Sequence, residues 1–467
     1  MARSLPPVAK RLRRGHGGMN LYQDVFFRGL DLLRGRRTVE RLHFLRQSQY
    51  WDRATLDHWQ LERLNALLQA ARGHTPYYTQ QLAGLTLPLS SLADLTKLPV
   101  LSKQSIRENF DALQNRALPR SRFVLSRTGG STGEPMFYHW DKHGQDWNRA
   151  SVYRSAEWAG TALGEKTVQM SGSHFDYSRA QSVFNRLVYA LQRYRDYPVA
   201  FLTDALLERY YQNLLAYRPA SIWGYASGID AFAGFIEERH PGSDFGFLRS
   251  LVTSSETLRP EQRTRINRVF GAGKVYDNYG SREMYIGAEC RMHDGYHLHA
   301  EVLIVEVVDK NNRPCPPGTP GRVLLTDLSN HAFPFIRYEI GDFAALAADT
   351  TCPCGVRLPR LQSLQGRIAD VIVLKDRILT PPNFATLLSD LRGIKAYQIR
   401  QDRIDEIKLL LVPDKDYVPA FGDYVMGAIR TMVDGQAKVT LDLVDDIPVP
   451  ESGKRRYIIS TIGKDYL

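Results

Sequence analysis

The ten residues Ser126-Arg127-Thr128-Gly129-Gly130-Ser131-Thr132-Gly133-Glu134-Pro135 hold three glycines and four hydroxyl side chains. They follow a strand-like run, Phe123–Leu125, and read as a loop leaving a strand. Such a loop offers many backbone N–H groups and short donors, which suit the oxygens of a polyphosphate. Ser126, Thr128, Gly129, Gly130, Ser131, Thr132 and Gly133 are the expected contacts. The loop has neither the G-x-x-x-x-G-K-[ST] of a Walker loop nor a dinucleotide G-x-G-x-x-G, so the two commonest nucleotide folds are excluded. The cysteines suggest a second chemistry. Cys290-Arg291-Met292-His293 is C-x-x-H, and Cys352-Pro353-Cys354 is C-x-C. Three thiolates and an imidazole make a closed tetrahedral zinc set, structural because no coordination position is left open. His297 and His299 are alternatives to His293, and Cys315 lies spare in a Pro-rich turn.

The loop resembles the phosphate loop of the adenylate-forming enzymes, and four further stretches come in that superfamily's order. Tyr276-Asp277-Asn278-Tyr279-Gly280-Ser281-Arg282-Glu283 resembles its adenine and magnesium motif. Ile336-Arg337-Tyr338-Glu339-Ile340-Gly341-Asp342 resembles its ribose motif, and Gly366-Arg367-Ile368-Ala369-Asp370 its hinge. Ile447-Pro448-Val449-Pro450-Glu451-Ser452-Gly453-Lys454-Arg455-Arg456 resembles its C-terminal lysine motif. Within the superfamily the chain is most similar to the phenylacetate–CoA ligase-like family, in its capsular polysaccharide biosynthesis branch. Ser48-Gln49-Tyr50-Trp51 with His74-Thr75-Pro76-Tyr77-Tyr78, the Cys352–Cys354 pair and the Ser452–Arg456 ending carry that similarity.

The resemblance implies ATP, Mg²⁺ and CoA as a co-substrate, and it assigns roles. Glu283 would hold Mg²⁺, which prefers oxygen ligands. Asp342 would accept both ribose hydroxyls. Tyr279 would stack on adenine, with Asn278 bonding its edge and Gly280 and Ser281 shaping the turn. Arg367 would fork onto ribose or phosphate oxygens. Lys454 would neutralise charge growing at the α-phosphate when a small domain delivers it. The expected reaction joins a small carboxylic acid to AMP, releases pyrophosphate and passes the acyl group to a thiol. Transfer to an amine or hydroxyl is the alternative enzyme reading, and a scaffold in polysaccharide assembly is the non-enzymatic one. The acid pocket is expected near His174, Trp223, Tyr225 and Glu256. Three places depart from the superfamily pattern: Ala369 replaces an acidic or lysine hinge residue, Lys375–Leu379 lacks a glycine, and the phosphate loop ends Pro135-Met136 in place of Pro-Lys, as is often so in the phenylacetate-type branch.

These residues need elements to position them. Leu61, Leu64, Leu67, Leu68 and Ala71 predict a helix over 53–72, and further helices are expected over 142–160, 204–217 and 229–238. Leu248–Thr253 reads as a buried strand, and Leu303–Val308, Arg322–Thr326 and Phe335–Tyr338 as β-structure between Gly/Pro/Asn turns. The segment after Gly366 predicts strands over Val371–Leu374, Glu406–Val412 and Lys438–Val444, with helices over 384–392 and 418–433. The fold class is α/β: a large N-terminal α/β adenylate-forming domain with a small mobile C-terminal α+β domain. The expected divisions are 1–50, a basic arm and helix; 51–366, the ATP- and acid-binding domain; and 367–467, which carries Lys454.

Composition is that of an ordinary globular protein. The 467 residues are 43% hydrophobic and 10% aromatic, which excludes a disordered or collagenous chain. No run approaches the ~18 apolar residues of a membrane span, and four cysteines do not make a disulfide framework. A cytoplasmic location is expected. The net charge of +11 is concentrated: eleven basic and three acidic residues fall in 1–50, leaving +3 for the rest. No nucleic-acid motif accompanies this charge. With Leu21, Val25, Phe26, Leu30 and Leu33 interspersed, it suggests a solubilising arm or a peripheral contact with anionic membrane.

Overall fold

A computed structural model describes residues 21–128, 136–170, 190–199, 202–348, 351–367, 371–375, 378–379, 393–448 and 457–462. Gly129–Gly133, His174, the hinge residues 368–370, Lys454 and the helix expected over 384–392 lie outside the described residues.

Two short strands, β1 (Val124–Arg127) and β2 (Phe137–Trp140), form an antiparallel hairpin. An 11-stranded sheet comes next. Its first half holds β3 (Thr167–Met170), β4 (Tyr194–Asp196), β5 (Ser221–Tyr225), β6 (Ser250–Ser254) and β7 (Val275–Gly280). These pair in parallel. Parallel neighbours need long crossovers, and the helices Asp204–Tyr217, Ala226–Arg239 and Pro260–Phe270 precede β5, β6 and β7 respectively. The second half is antiparallel: β8 (Tyr285–Ala288), β9 (Tyr296–Leu298), β10 (Leu303–Val308), β11 (Gly321–Asp327), β12 (Tyr338–Leu346) and β13 (Arg360–Arg367). The sheet order is β10-β11-β12-β13-β9-β8-β7-β6-β5-β3-β4.

Register aligns three residues of the parallel half. Tyr225 pairs with Ser254, and Ser254 with Asn278. They therefore lie side by side at the C-terminal ends of adjacent parallel strands, where open α/β sheets bind ligands.

The C-terminal part contains the hairpin β14 (Ile372–Val373) and β15 (Ile378–Leu379). Beside it β16 (Ile394–Arg403), β17 (Glu406–Pro413), β18 (Lys438–Leu443) and β19 (Ile458–Ser460) form a sheet ordered β18-β17-β16-β19. The helix Pro419–Val433 covers it with Val425, Met426, Ile429 and Val433. This core, with Ile399, Ile407, Leu409 and Leu411, is separate from those of the large sheet. The architecture is the expected one, a large α/β part with a small C-terminal α+β domain.

Several expected elements form close to their expected limits, including the helices Arg53–His74 and Asp204–Tyr217 and the strand Leu303–Val308. The expected strand Phe335–Tyr338 does not form as such: β12 begins at Tyr338. Arg337 takes a left-handed φ of 48°, which breaks the extended backbone, while Phe333, Phe335 and Ile336 fill the core from an irregular segment. Within the N-terminal segment, Thr38–Ser48 is a core helix rather than solvated arm, because Val39, Leu42 and Leu45 share one buried face. Of the apolar residues expected to be interspersed before it, Val25, Phe26 and Leu33 are exposed and Leu30 is half-buried, while Phe27, outside that set, is buried.

Candidate active site

The phosphate-loop segment stands on the β1–β2 hairpin. Thr128 N–H donates to the Met136 carbonyl at 2.9 Å, and Met136 N–H donates back to Thr128 Oγ1 at 2.9 Å. The described residues thus close the neck of the loop. Ser126 Oγ donates to the Tyr138 hydroxyl at 3.1 Å, which donates to the Arg282 carbonyl at 2.6 Å. Ser126 and Thr128 therefore hold the hairpin, and Tyr138 docks it on the turn after β7.

That turn carries the adenine and magnesium motif. Asn278 ends a rung of parallel strands and donates through Nδ2 to the Tyr285 hydroxyl. Tyr279 is buried, and its hydroxyl donates to Asp342 Oδ2 at 2.8 Å. Ser281 Oγ accepts from the N–H groups of Glu283 and Met284, both at 3.2 Å, and so tightens the turn. Glu283 is only 4% exposed and accepts from the Tyr338 hydroxyl at 2.9 Å. Burial and the Glu283 charge push the Tyr338 phenol well above its ordinary range, so it remains a proton donor. No Lys or Arg forms an ion pair with Glu283 among the described residues, and a buried carboxylate of this kind calls for a cation. Its oxygen donors fit Mg²⁺.

Strand β12 supplies the other half of the site. Tyr338 at its start reaches Glu283, and Asp342 four residues on reaches Tyr279. Asp342 is paired in register with Arg367 on β13; of Arg367 only the backbone is described. Gly341 has φ 90°, a left-handed conformation that a side chain would strain. Lys103 Nζ donates to the Ile340 carbonyl at 2.7 Å beside it. The sequence reading missed Tyr138, Tyr338 and Lys103 as residues that build the site. Tyr338 stood inside a motif but was unremarkable there, and nothing local marks the other two.

Three motifs spread over more than 200 residues thus meet around Tyr279, Glu283 and Asp342. Similarity to known proteins has the same outline. Residues 371–461 match the CapK C-terminal domain family. The chain is 24% identical to the phenylacetate-coenzyme A ligase of Thermus thermophilus over 432 residues, 86% of this chain and 95% of that protein. It is 22% identical to Protein CapK of Staphylococcus aureus, over 80% of this chain and 81% of the relative. Among solved structures, 2-hydroxyisobutyryl-CoA ligase in the postadenylation state with R3-HIB-AMP superposes with a TM-score of 0.70. That match has 25% identity and covers 89% of this chain and 93% of the other. Along most of its length the chain is thus similar to phenylacetate–CoA ligases and to Protein CapK, and it has the fold of an adenylate-forming enzyme.

In this adenylate-forming enzyme the residues expected around the acid separate into two kinds. Tyr225 stands at the strand ends beside Ser254 and Asn278. Glu256 follows Ser255, which has φ 69°, and its Oε2 accepts from the Ser227 N–H at 2.9 Å, at the start of the helix Ala226–Arg239. Its Oε1 is buried with no hydrogen-bond partner among the described residues. Trp223 lies mid-strand and packs against Ala159, Val252 and Tyr276. That makes it part of a small apolar cluster behind the strand ends.

Three of the four cysteines converge on one histidine. One ligand atom from each of Cys290, His297, Cys352 and Cys354 lies within 4.8 Å of all the others. The imidazole is that of His297, the alternative in the sequence reading, and not that of His293. His293 has φ 50° in the turn after Cys290, and its ring faces Glu289 and the Gly273 carbonyl, both at 3.3 Å. The C-x-x-H spacing therefore misled: the turn aims the nearer histidine away. His299 serves a different network. Burial and Arg154 push its pKa far down, so the neutral ring accepts from Arg154 at 2.7 Å and donates to Ser155 Oγ at 3.0 Å. Cys315 lies apart, its thiol directed at the Pro320 carbonyl.

Proposed function

We propose that the protein activates a carboxylic acid with MgATP to an acyl-adenylate, releases pyrophosphate, and transfers the acyl group to the thiol of CoA. The hydrogen bond between Tyr279 and Asp342 is the observation that carries this reading. It ties the adenine strand to the ribose strand and leaves buried Glu283 beside them without a basic partner among the described residues. Asp342 accepts from the ribose hydroxyls, Tyr279 and Asn278 face the base, and Gly129–Gly133 wrap the phosphates. Arg367 adds a planar donor fork. Mg²⁺ held at Glu283 would screen the phosphate charge. The small domain brings Lys454 to the α-phosphate, where negative charge grows in the transition state. Residues 1–50, 51–366 and 367–467 act in this reading as arm, catalytic body and lysine-bearing domain. The acid enters from the Tyr225 and Glu256 side, with His174 as a further contact.

The CoA ligase relatives support CoA as acceptor, and a place in polysaccharide biosynthesis rests on the resemblance of the sequence motifs to that branch. We place the enzyme in the cytoplasm. Val25, Phe26, Leu32 and Leu33 are exposed beside Arg28, Arg34 and Arg37, which supports a peripheral contact with anionic membrane. No helix among the described residues is long and apolar enough to cross a membrane.

The test is pyrophosphate release from MgATP across a panel of aliphatic, hydroxy and aryl acids, followed by adding CoA, hydroxylamine or an amino sugar. Acid-dependent release with acyl-CoA as product supports the proposal. Acid-dependent release with acylation of the amine or hydroxyl acceptor alone replaces CoA. No release and no ATP binding would favour a scaffold.

A further inference from the structure

We propose that Cys290, His297, Cys352 and Cys354 form a structural zinc site that staples the β8–β9 segment to the chain between β12 and β13. Four observations carry it. The first is distance. Cys290 Sγ and Cys352 Sγ are 3.7 Å apart, and Cys354 Sγ and His297 Nε2 are 3.3 Å apart. Tetrahedral zinc, with Zn–S near 2.3 Å and Zn–N near 2.0 Å, sets its ligand atoms roughly 3.5–3.8 Å from one another. A disulfide would need about 2.05 Å.

The second is donor chemistry. Three thiolates and an imidazole select zinc over the hard, oxygen-seeking Mg²⁺ and Ca²⁺. The third is the backbone around the sulfurs, which offers an amide donor to two of them. Met292 N–H points at Cys290 Sγ at 3.5 Å, and Val356 N–H at Cys354 Sγ at 3.4 Å. Each turn is closed by an N–H to carbonyl bond of 2.9 Å, His293 to Cys290 and Gly355 to Cys352. Amide donors two residues on favour charged sulfur. Gly355 has φ 95°, which lets the second turn close. The fourth is His297 itself. Its ring is fully buried, one nitrogen faces sulfur, and the other has no hydrogen-bond partner among the described residues. No carboxylate or carbonyl among the described residues accounts for burying this imidazole there.

The site has a clear mechanical use. Strand β9 is three residues long and meets β13 at just two pairs, His297 with Arg360 and Tyr296 with Leu361. So short a pairing is weak alone. Metal binding to a site absent from the unfolded chain adds directly to folding stability. The four protein ligands close the site, so this zinc takes no part in acid activation.

The experiment is metal analysis of the full chain, purified without chelator. About one zinc per chain is expected from the closed four-ligand set. His297→Ala and Cys352→Ser lose the zinc, while His293→Ala keeps it. His297→Cys, which leaves four thiolates, also keeps it, and decides the matter if His297→Ala fails to fold. Cobalt(II) in place of zinc gives thiolate-to-metal absorption and tetrahedral d–d bands, and stripping the metal lowers Tm. A chain that is zinc-free and takes up none when titrated with zinc chloride overturns the proposal. So does a Cys290–Cys352 disulfide found by mass, or zinc lost from His293→Ala but retained by His297→Ala. Metal content is read without the reaction, so this result and that of the acid panel stand apart.

Discussion

Glu283, Glu289 and Glu301 are close in the chain and almost equally buried, at 4%, 6% and 2% exposed. Their surroundings differ. Glu289 pairs with Arg263 at 2.7 Å and accepts from the Asp277 N–H at 2.9 Å. Glu301 takes two bonds from fully buried Arg154, at 2.6 and 2.9 Å, and one from Ser48 at 2.6 Å. Glu283 receives the Tyr338 hydroxyl, and among the described residues no basic group pairs with it. Burying a carboxylate is costly unless its charge is met. The two carboxylates that follow β8 in the chain have that cost met by arginines, while Glu283, which precedes it, is the one proposed to be completed by a ligand. Stability should therefore reside in one group and affinity in the other.

The largest effect on stability is expected for Glu301→Ala, which leaves the Arg154 charge buried and unpaired. Breaking such a pair costs about 3–5 kcal/mol, read as a lower denaturation midpoint. ATP affinity of the folded fraction should stay within twofold. A variant as stable as the parent would break the comparison. Glu283→Gln should behave conversely. Its melting temperature should hold, while MgATP binding weakens by about 10- to 100-fold, the loss of a charged interaction worth about 1.5–3 kcal/mol. A large fall in Tm with normal ATP binding would place Glu283 in the scaffold. Tyr279→Phe, measured by ATP titration, should lose about fivefold, the value of one hydrogen bond near 1 kcal/mol.

The smallest effect is a pH dependence that sharpens the boundary between the two groups. Burial first, then the Glu289 charge, holds the Asp277 carboxyl up at about 7 against an ordinary 3.8. Between those values the folded chain binds a proton that the unfolded chain has released, so stability falls as pH rises from about 4 to about 7. Asp277→Asn should flatten Tm against pH in that window. An unchanged slope would show that other groups set it.

Much of the candidate site was legible because its parts are contiguous. The residues from Tyr276 to Glu283 and from Ile336 to Asp342 sit on one strand or turn each, so order along the chain nearly determines position. Periodicity likewise located Asp204–Tyr217 and Leu303–Val308. What sequence could not show were contacts made across the sheet. Arg154 and Glu301 are 147 residues apart, and neither has a local signal. His297 outranks His293 in the cysteine cluster only through the pairing of β9 with β13 and the left-handed turn at His293. Strand β16 escaped the reading because buried Gln398 and Gln401 interrupt its apolar alternation. Gln401 is held there by Val373, accepting from its N–H at 2.8 Å and donating to its carbonyl at 2.7 Å.

The central claim is that acid activation and thiol transfer are separate half-reactions, with Lys454 serving the first. The direct measurement compares Lys454→Ala with the parent in both. With MgATP and an accepted acid, pyrophosphate release should fall by about 10²–10³, the value of a preorganised charge partner. Given a chemically made acyl-adenylate and CoA, the same variant should form acyl-CoA at the parent's rate. Normal pyrophosphate release by Lys454→Ala, or equal loss of both half-reactions in a folded variant, would contradict the account.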